Sequence, residues 1–156
     1  MNRHGFTLIE LIIVIALMGI LSATATMYFR NYSRKADIES QVKSLYSDIT
    51  QIRSEAMFTR SGRSVKYSAN VFSFYSSNNV IAAPKSQRKL KYSISWSGGG
   101  QVDFDVRGLV SNVSSACICT LLGNNNANID SIVIGTVRTQ MGKSNGTCDD
   151  ANITPK

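Results

Sequence analysis

The chain has 156 residues, of which 17% are charged, and its 17 Lys and Arg exceed its 10 Asp and Glu for a formal net charge of +7. This length is enough for one domain and one membrane anchor. The only histidine is His4, near the N-terminus, so the rest of the chain lacks the commonest general base and metal ligand. We therefore expect no catalytic residue, no metal site and no cofactor.

The first predicted element is an apolar stretch from Gly5 to Phe29 that holds one carboxylate, Glu10. At about 1.5 Å per residue it forms a helix of roughly 36 Å, enough to cross a hydrocarbon core of about 30 Å. A charged residue inside such a span needs a partner or a role. A secretory signal peptide cut near Ala25 and a plain membrane anchor are the simpler interpretations, and neither explains Glu10.

The residue order Gly-Phe-Thr-Leu-Ile-Glu, at Gly5 to Glu10, resembles the class III leader of type IV pilins and type II secretion pseudopilins. The resemblance implies that a prepilin peptidase removes residues 1–5 by cutting between Gly5 and Phe6, and that Phe6 becomes the N-methylated terminus. It also implies that Glu10 serves assembly by pairing with the terminal amine of a neighbouring subunit. A carboxylate is tolerable in an apolar assembly if it is paired, which agrees with that role.

The helix is predicted to continue to about Arg60, because residues 28–60 contain neither glycine nor proline. Residues 6–29 are then the transmembrane and assembly part, and residues 30–60 are the amphipathic half of one helix roughly 80 Å long. Apolar residues three and four positions apart form one seam, and it comprises Ile38, Val42, Leu45, Ile49, Ile52 and Ala56. Charged residues expected off that seam are Asp37, Glu39, Lys43, Asp48, Arg53 and Glu55.

Residues 61–156 are predicted to form a β-rich head with a polar C-terminal tail from Gly142 to Lys156, and Gly62 is the expected C′ residue of the helix. The stretches at 65–67 and 71–75 are typical of a hairpin. Further strands are expected at 90–96, 102–106, 117–122 and 129–139, the last two flanking a hairpin loop at 123–126. The pilin resemblance implies an α+β fold, with the long N-terminal helix packed on an antiparallel head.

Three further motifs resemble the GspH/FimT-type minor pilins and pseudopilins: Arg53-Ser-Glu-Ala56, Phe104-Asp-x-x-Gly108 and Ile132-Val-Ile-Gly135. FimT-like members that bind DNA during natural transformation carry Gly-Arg-x-Arg near this hairpin. This chain has Gly135-Thr-Val-Arg138 there and lacks the first arginine.

Basic residues in the head are candidates for binding DNA or another polyanion, since Lys and Arg in loops neutralise phosphates without reading sequence. The alternative is an ordinary solvated surface. The candidate residues are Lys85, Arg88, Lys89 and Lys91 in one segment, with Arg138 and Lys143 in another region.

The three cysteines, Cys117, Cys119 and Cys148, indicate one disulfide and one spare thiol if the head is exported. The Cys-x-Cys spacing places Cys117 and Cys119 on the same face of a strand, so either is able to reach Cys148. The preferred pairing is Cys117 with Cys148, and the alternative is Cys119 with Cys148.

The functional hypothesis is a minor type IV pilin or pseudopilin that assembles into a pilus or pseudopilus through its N-terminal helix. The alternatives are a DNA-binding minor pilin acting in DNA uptake and a major pilin subunit. The implied partners are other subunits, the prepilin peptidase and the bacterial inner membrane, with the head in the periplasm before assembly. Charge alone argues for the opposite orientation, because Arg30, Arg34 and Lys35 follow the span.

Overall fold

A computed structural model describes residues 7–120 and 125–156. The predicted leader, residues 1–5, and the cleavage residues Gly5 and Phe6 lie outside these ranges, as do two residues of the predicted loop at 123–126. The chain forms two units, Met1–Lys35 and Ala36–Lys156. The second unit joins the amphipathic part of the helix to the β-rich head.

The predicted helix is confirmed as α1, Leu8–Thr59. It ends in a Schellman motif, in which the Arg60 N–H bonds to the Met57 oxygen at 3.4 Å and the Ser61 N–H bonds to the Ala56 oxygen at 3.2 Å. The residue in the left-handed conformation is Arg60, with φ of 49°. The prediction that Gly62 is the C′ residue is therefore wrong, because the helix ends two residues earlier.

The apolar seam of α1 is confirmed, since all six predicted residues are buried. Arg53 is buried as well, with 7% of its surface exposed, so its predicted place off the seam is wrong. It lies four residues after Ile49 and three before Ala56, which puts it on the flank of the seam.

The β-rich head contains nine strands in the described residues, all paired in antiparallel fashion. In chain order they are β1 (Arg63–Ser68), β2 (Val71–Tyr75), β3 (Ser86–Lys89), β4 (Ile94–Trp96), β5 (Gln101–Phe104), β6 (Ser115–Thr120), β7 (Ser131–Gly135), β8 (Thr139–Ser144) and β9 (Ile153–Pro155). They form two sheets, of order β3-β2-β1-β5 and β4-β6-β7-β8-β9. The α+β prediction is thereby confirmed.

The predicted β1–β2 hairpin is confirmed, with Val65 opposite Phe74. Its two turn residues, Ala69 and Asn70, have φ of 48° and 64°. Positive φ at both central residues is typical of the type I′ turn, whose twist matches that of the strands. The pairing of β6 with β7 is confirmed as well.

The prediction of one strand over 90–96 is wrong, because only Ile94–Trp96, β4, is a strand and residues 90–93 connect it to β3 of the other sheet. Between them, the N–H groups of Lys91 and Tyr92 donate to the Gln41 side-chain oxygen at 2.8 and 2.9 Å. Gln41 Nε2 donates in turn to the Tyr92 carbonyl oxygen at 3.0 Å. A helix side chain therefore occupies backbone groups that a continuous strand needs for its sheet neighbours.

The predicted strand over 129–139 is two strands, because the chain reverses after Gly135 and the Gly135 N–H bonds to the Arg138 oxygen at 2.8 Å. The polar tail also belongs to the sheet. It contains a 3-10 helix, Asp150–Asn152, and β9, where Ile153 is 6% exposed. Sequence polarity concealed these elements because only one of their side chains is buried and apolar.

The core of the second unit lies between α1 and both sheets. Leu45 and Ile49 of the helix are buried in one cluster with Phe72 of the first sheet and with Ile132 and Ile134 of the second. The amphipathic half of α1 is therefore the element that holds the two sheets in one fold.

Candidate functional site

The first part of α1 has large apolar side chains that are all exposed in this chain, from Leu8 at 77% to Phe29 at 71%. Among the described residues, α1 is the helix that is long and apolar enough to cross a membrane. A helix that is apolar on every side needs cover from lipid or from other apolar helices. In the described residues these side chains are exposed, so the apolar helix surface is not covered there.

Glu10 lies in the first turn of this helix and is exposed. Thr7 precedes the helix, and its hydroxyl accepts a hydrogen bond from the Glu10 backbone N–H at 3.3 Å. Thr-x-x-Glu is the capping-box sequence, in which the glutamate is the third helical residue. The predicted assembly residue therefore has a fixed place next to the helix N-terminus, where a carboxylate is favoured by the helix dipole.

The basic segment predicted as a polyanion site faces a row of carboxylates on α1. The three ion pairs are Lys91 Nζ with Asp37 at 2.6 Å, Arg88 with Asp48, and Lys85 Nζ with Glu55 at 2.6 Å. The carboxylates are 11 and 7 residues apart, so they lie on one side of the helix. We call this arrangement the carboxylate row, defined by Asp37, Asp48 and Glu55.

The ion pairs of the carboxylate row shift the pKa values of their members. The hydrogen bond from Lys91 lowers the pKa of Asp37, and that from Lys85 lowers the pKa of Glu55. The bond to Asp37 raises the pKa of Lys91. These shifts favour the charged forms of Asp37, Glu55 and Lys91. Three of the four candidate cations in this segment, Lys85, Arg88 and Lys91, therefore already meet carboxylates.

The remaining candidate cations are in different surroundings. Lys143 Nζ donates to Asp130 Oδ2 at 2.6 Å and to the Asn125 backbone oxygen at 3.0 Å, and Asp130 is 3% exposed. Lys89 and Arg138 are exposed and have no ion pair in the described residues. The predicted basic residues are therefore divided between structural ion pairs and single free cations.

Arg53 brings together the three motifs that the sequence placed far apart. Its Nη2 donates to the Gly135 backbone oxygen at 2.7 Å, and its guanidinium lies 5.2 Å from the centre of the Phe104 ring. Gly108 has φ of 74°, and a Cβ there would lie 3.2 Å from the Arg53 backbone oxygen. The burial of Arg53 was not predicted from the sequence, because charged positions of the helix were all expected off the apolar seam.

The disulfide joins Cys119 to Cys148, and Cys117 is a free, buried thiol. The preferred pairing of Cys117 with Cys148 is therefore wrong, and the alternative is the one formed. All three residues lie in one cluster, so the shared face of β6 was identified correctly. Spacing alone did not select between them because residues two apart on a strand point the same way.

The sequence comparisons with known proteins match the N-terminal region of the chain. The family described as the prokaryotic N-terminal methylation motif matches residues 1–26. A probable minor fimbrial protein of Dichelobacter nodosus is 42% identical over 52 residues, covering 33% of this chain and 30% of that protein. The type IV major fimbrial protein FimA of the same organism is 46% identical over 51 residues, again covering 33% of this chain and 30% of that protein. The matched segment thus spans less than a third of each relative's length.

Most of the chain resembles a solved structure in its fold. The type IV minor pilin FimU of Pseudomonas aeruginosa superimposes with a TM-score of 0.55 at 16% identity, covering 76% of this chain and 97% of FimU. At this identity the likeness shows the fold, a long N-terminal helix packed on an antiparallel head.

Proposed function

We propose that this chain, which belongs to the type IV pilin family by its N-terminal methylation motif and its pilin fold, is a minor subunit of a pilus or pseudopilus. Before assembly it lies in the inner membrane with its head in the periplasm. It then joins a bundle of like helices through the apolar first part of α1, Leu8 to Phe29. The observation that carries the proposal is the exposed apolar helix with one carboxylate in its first turn.

Burial of its apolar side chains keeps the helix out of water throughout assembly. Each large side chain that passes from water into an apolar environment is stabilised by about 1.5–3 kcal/mol, so Leu8 to Phe29 are not left in water at any stage. Lipid covers the helix before assembly and neighbouring helices cover it afterwards. Because lipid and helix are equally apolar, close packing and the pairing of Glu10 must favour the bundle over the membrane.

Glu10 is proposed to pair with the terminal amine of a neighbouring subunit after prepilin peptidase has cut between Gly5 and Phe6. Within one chain its backbone N–H is already held by Thr7, and its carboxylate is exposed. An apolar bundle raises the free-energy cost of an unpaired carboxylate, and a neighbouring amine removes that cost. The pair therefore selects one register between helices.

The head supports a minor rather than a major subunit. The N-terminal third matches minor and major fimbrial proteins about equally well, so it does not distinguish them. The likeness over most of the chain is to a minor pilin. DNA binding is the less favoured alternative, because Lys85, Arg88 and Lys91 are engaged by the carboxylate row.

The first experiment is intact mass and N-terminal analysis of the protein isolated from its own membrane. We expect a species that starts at N-methylated Phe6. A chain that starts near Ala25, or one that retains Met1, would contradict the proposal.

The second experiment tests Glu10 itself. We expect Glu10→Ala to insert in the membrane and fold normally but to be absent from purified fibres, because the unpaired terminal amine of the neighbour opposes packing. Ser22→Ala, which also removes a polar group from the same helix, is the matched control and should assemble. Normal incorporation of Glu10→Ala would overturn the assigned role.

A further inference from the structure

Eight residues at the C-terminal end of the apolar span and just beyond it form a distinct surface, which we call the exit segment, residues 28–35. Its aromatic side chains are exposed, with 78% of Tyr28, 71% of Phe29 and 70% of Tyr32 accessible. The same segment contains Arg30, Arg34 and Lys35. Aromatic and basic side chains in this combination are typical of the interface between lipid headgroups and water.

The position of the exit segment fits that interface. Leu8 to Met27 is a helical stretch of 20 residues, which at about 1.5 Å per residue covers about 30 Å, the thickness of a hydrocarbon core. The exit segment therefore begins where the hydrocarbon ends. Long Arg and Lys side chains bring their charges to the level of the phosphates while their stems stay beside the apolar region.

The cations of the exit segment have no ion pair in the described residues, unlike Lys85, Arg88 and Lys91 of the head. Arg30 and Arg34 are four residues apart, so like charges share one helix face and repel each other. An external anion that binds both removes this repulsion.

The helix sequence around these cations offers no carboxylate to be that anion. The stretch from residue 11 to residue 36 contains no Asp or Glu. The next two carboxylates are engaged elsewhere, Asp37 by Lys91 Nζ at 2.6 Å and Glu39 by the Asn128 N–H at 2.8 Å. The cations of the exit segment therefore still require a negatively charged partner at the membrane surface.

We propose that the exit segment binds the phosphates of anionic phospholipid headgroups in the leaflet that faces the head. The inference rests on the proposed function, because it requires the first part of α1 to be a membrane helix before assembly. The headgroups fix the depth of the helix, and they hold three positive charges on the exported side against the usual preference for the cytoplasm. Extraction into a fibre then requires these contacts to be broken.

The test uses the processed full-length protein reconstituted in vesicles of three parts phosphatidylcholine and one part phosphatidylglycerol. Lipids that remain bound after mild detergent extraction are identified by native mass spectrometry. The Arg30→Gln/Arg34→Gln/Lys35→Gln variant is compared with a head control, Arg60→Gln/Lys66→Gln/Lys156→Gln. This control removes the same charge from cations outside the exit segment that have no ion pair in the described residues.

We expect phosphatidylglycerol to be enriched over the vesicle composition by about fivefold for each cation contact at low salt, and the enrichment to fall as salt is raised. The exit-segment variant should retain lipid at the vesicle ratio, and the head control should behave as the unaltered chain does. Inorganic phosphate should compete no better than chloride at equal ionic strength, since a lipid phosphate is held at the surface by its chains.

Retention at the vesicle ratio by the unaltered chain would overturn the inference, and so would an equal loss in the head control. A carbodiimide-dependent amide cross-link from the Lys35 amine to a carboxylate of a second protein, in place of lipid enrichment, would overturn it too. Failure of the proposed function looks different: the chain would then be extracted by alkaline carbonate, or would not start at Phe6.

Discussion

Arg53 Nη2 donates a hydrogen bond to the backbone oxygen of Gly135 at 2.7 Å, and this contact ties the last turns of α1 to the end of β7. The side chain is 7% exposed and has no ion-pair partner in the described residues. Burial lowers the pKa of its guanidinium. The ring of Phe104 lies beneath that charge, so a carbonyl and an aromatic face replace the missing carboxylate.

We expect Arg53→Ala to lower the free energy of unfolding by about 3 kcal/mol, because it leaves a cavity and removes the donor to Gly135. Arg53→Met should cost about 1 kcal/mol, since it keeps most of the packing and loses the hydrogen bond to Gly135. Urea unfolding, followed by the fluorescence of the single tryptophan, Trp96, measures both.

The control for this series is Arg138→Ala, which removes an exposed arginine without an ion pair in the described residues. It should change the free energy of unfolding by less than about 0.5 kcal/mol. If Arg53→Ala were as mild as Arg138→Ala, the contact with Gly135 would not stabilise the fold.

The turn beside Arg53 requires glycine for two separate reasons. Gly108 has φ of 74°, and a Cβ would lie 2.9 Å from Met57 Cγ and 3.2 Å from the Arg53 backbone oxygen. We expect Gly108→Ala to lower the free energy of unfolding by about 2–3 kcal/mol, from backbone strain and overpacking together.

Gly99→Ala separates the two causes, because Gly99 has φ of 63° and nothing within 4 Å of a Cβ. It should cost about 1 kcal/mol, the strain alone. Equal losses in the two variants would show that the packing around Gly108 relaxes freely.

The seam of α1 was predictable from sequence because a helix with one buried face repeats its apolar residues every three to four positions. Arg53 was not, because its burial depends on Phe104 and Gly135, which are 51 and 82 residues away in sequence. Local periodicity contains no information on such partners. The motifs that include these residues were found, but only the fold shows that they meet.

The predicted basic site illustrates the same limit for charge. Lys85, Arg88 and Lys91 form a cluster in sequence, yet each is paired with a carboxylate of α1 at least 30 residues away. A run of like charges in sequence says nothing about opposite charges that the fold brings beside it. The apolar span and Glu10, in contrast, lie in one contiguous stretch of sequence, so they could be identified from the sequence alone.

The carboxylate row gives a pH dependence with a definite sign. The pKa values of Asp37 and Glu55 are lowered in the folded state by hydrogen bonds from Lys91 and Lys85. Their contribution to stability is fully present above the unfolded values of about 4, and it is lost as the pH falls through the lower folded values. We expect the urea midpoint to fall below about pH 4, more steeply than for a variant without these groups.

Asp37→Asn/Glu55→Gln is that variant. It should have a shallower acid limb, though not a flat one, because Asp105 and Asp149 also have pKa values lowered by hydrogen bonds, chiefly from the Leu109 N–H and from Thr147. Identical acid limbs for the two proteins would contradict a role for the carboxylate row. High salt should bring the two curves together, since these pairs are partly exposed.

The cysteines provide the last prediction. The disulfide closes a loop of 29 residues between Cys119 and Cys148, so Cys119→Ala should lower the free energy of unfolding by about 3.5 kcal/mol.

Cys117→Ala should cost about 1 kcal/mol and leave the disulfide in place. Because burial raises the pKa of the Cys117 thiol, iodoacetamide should modify it only after unfolding. Peptide mapping without reduction decides the pairing: a bridge between Cys117 and Cys148 in the native protein, or rapid native labelling of Cys117, would contradict this arrangement.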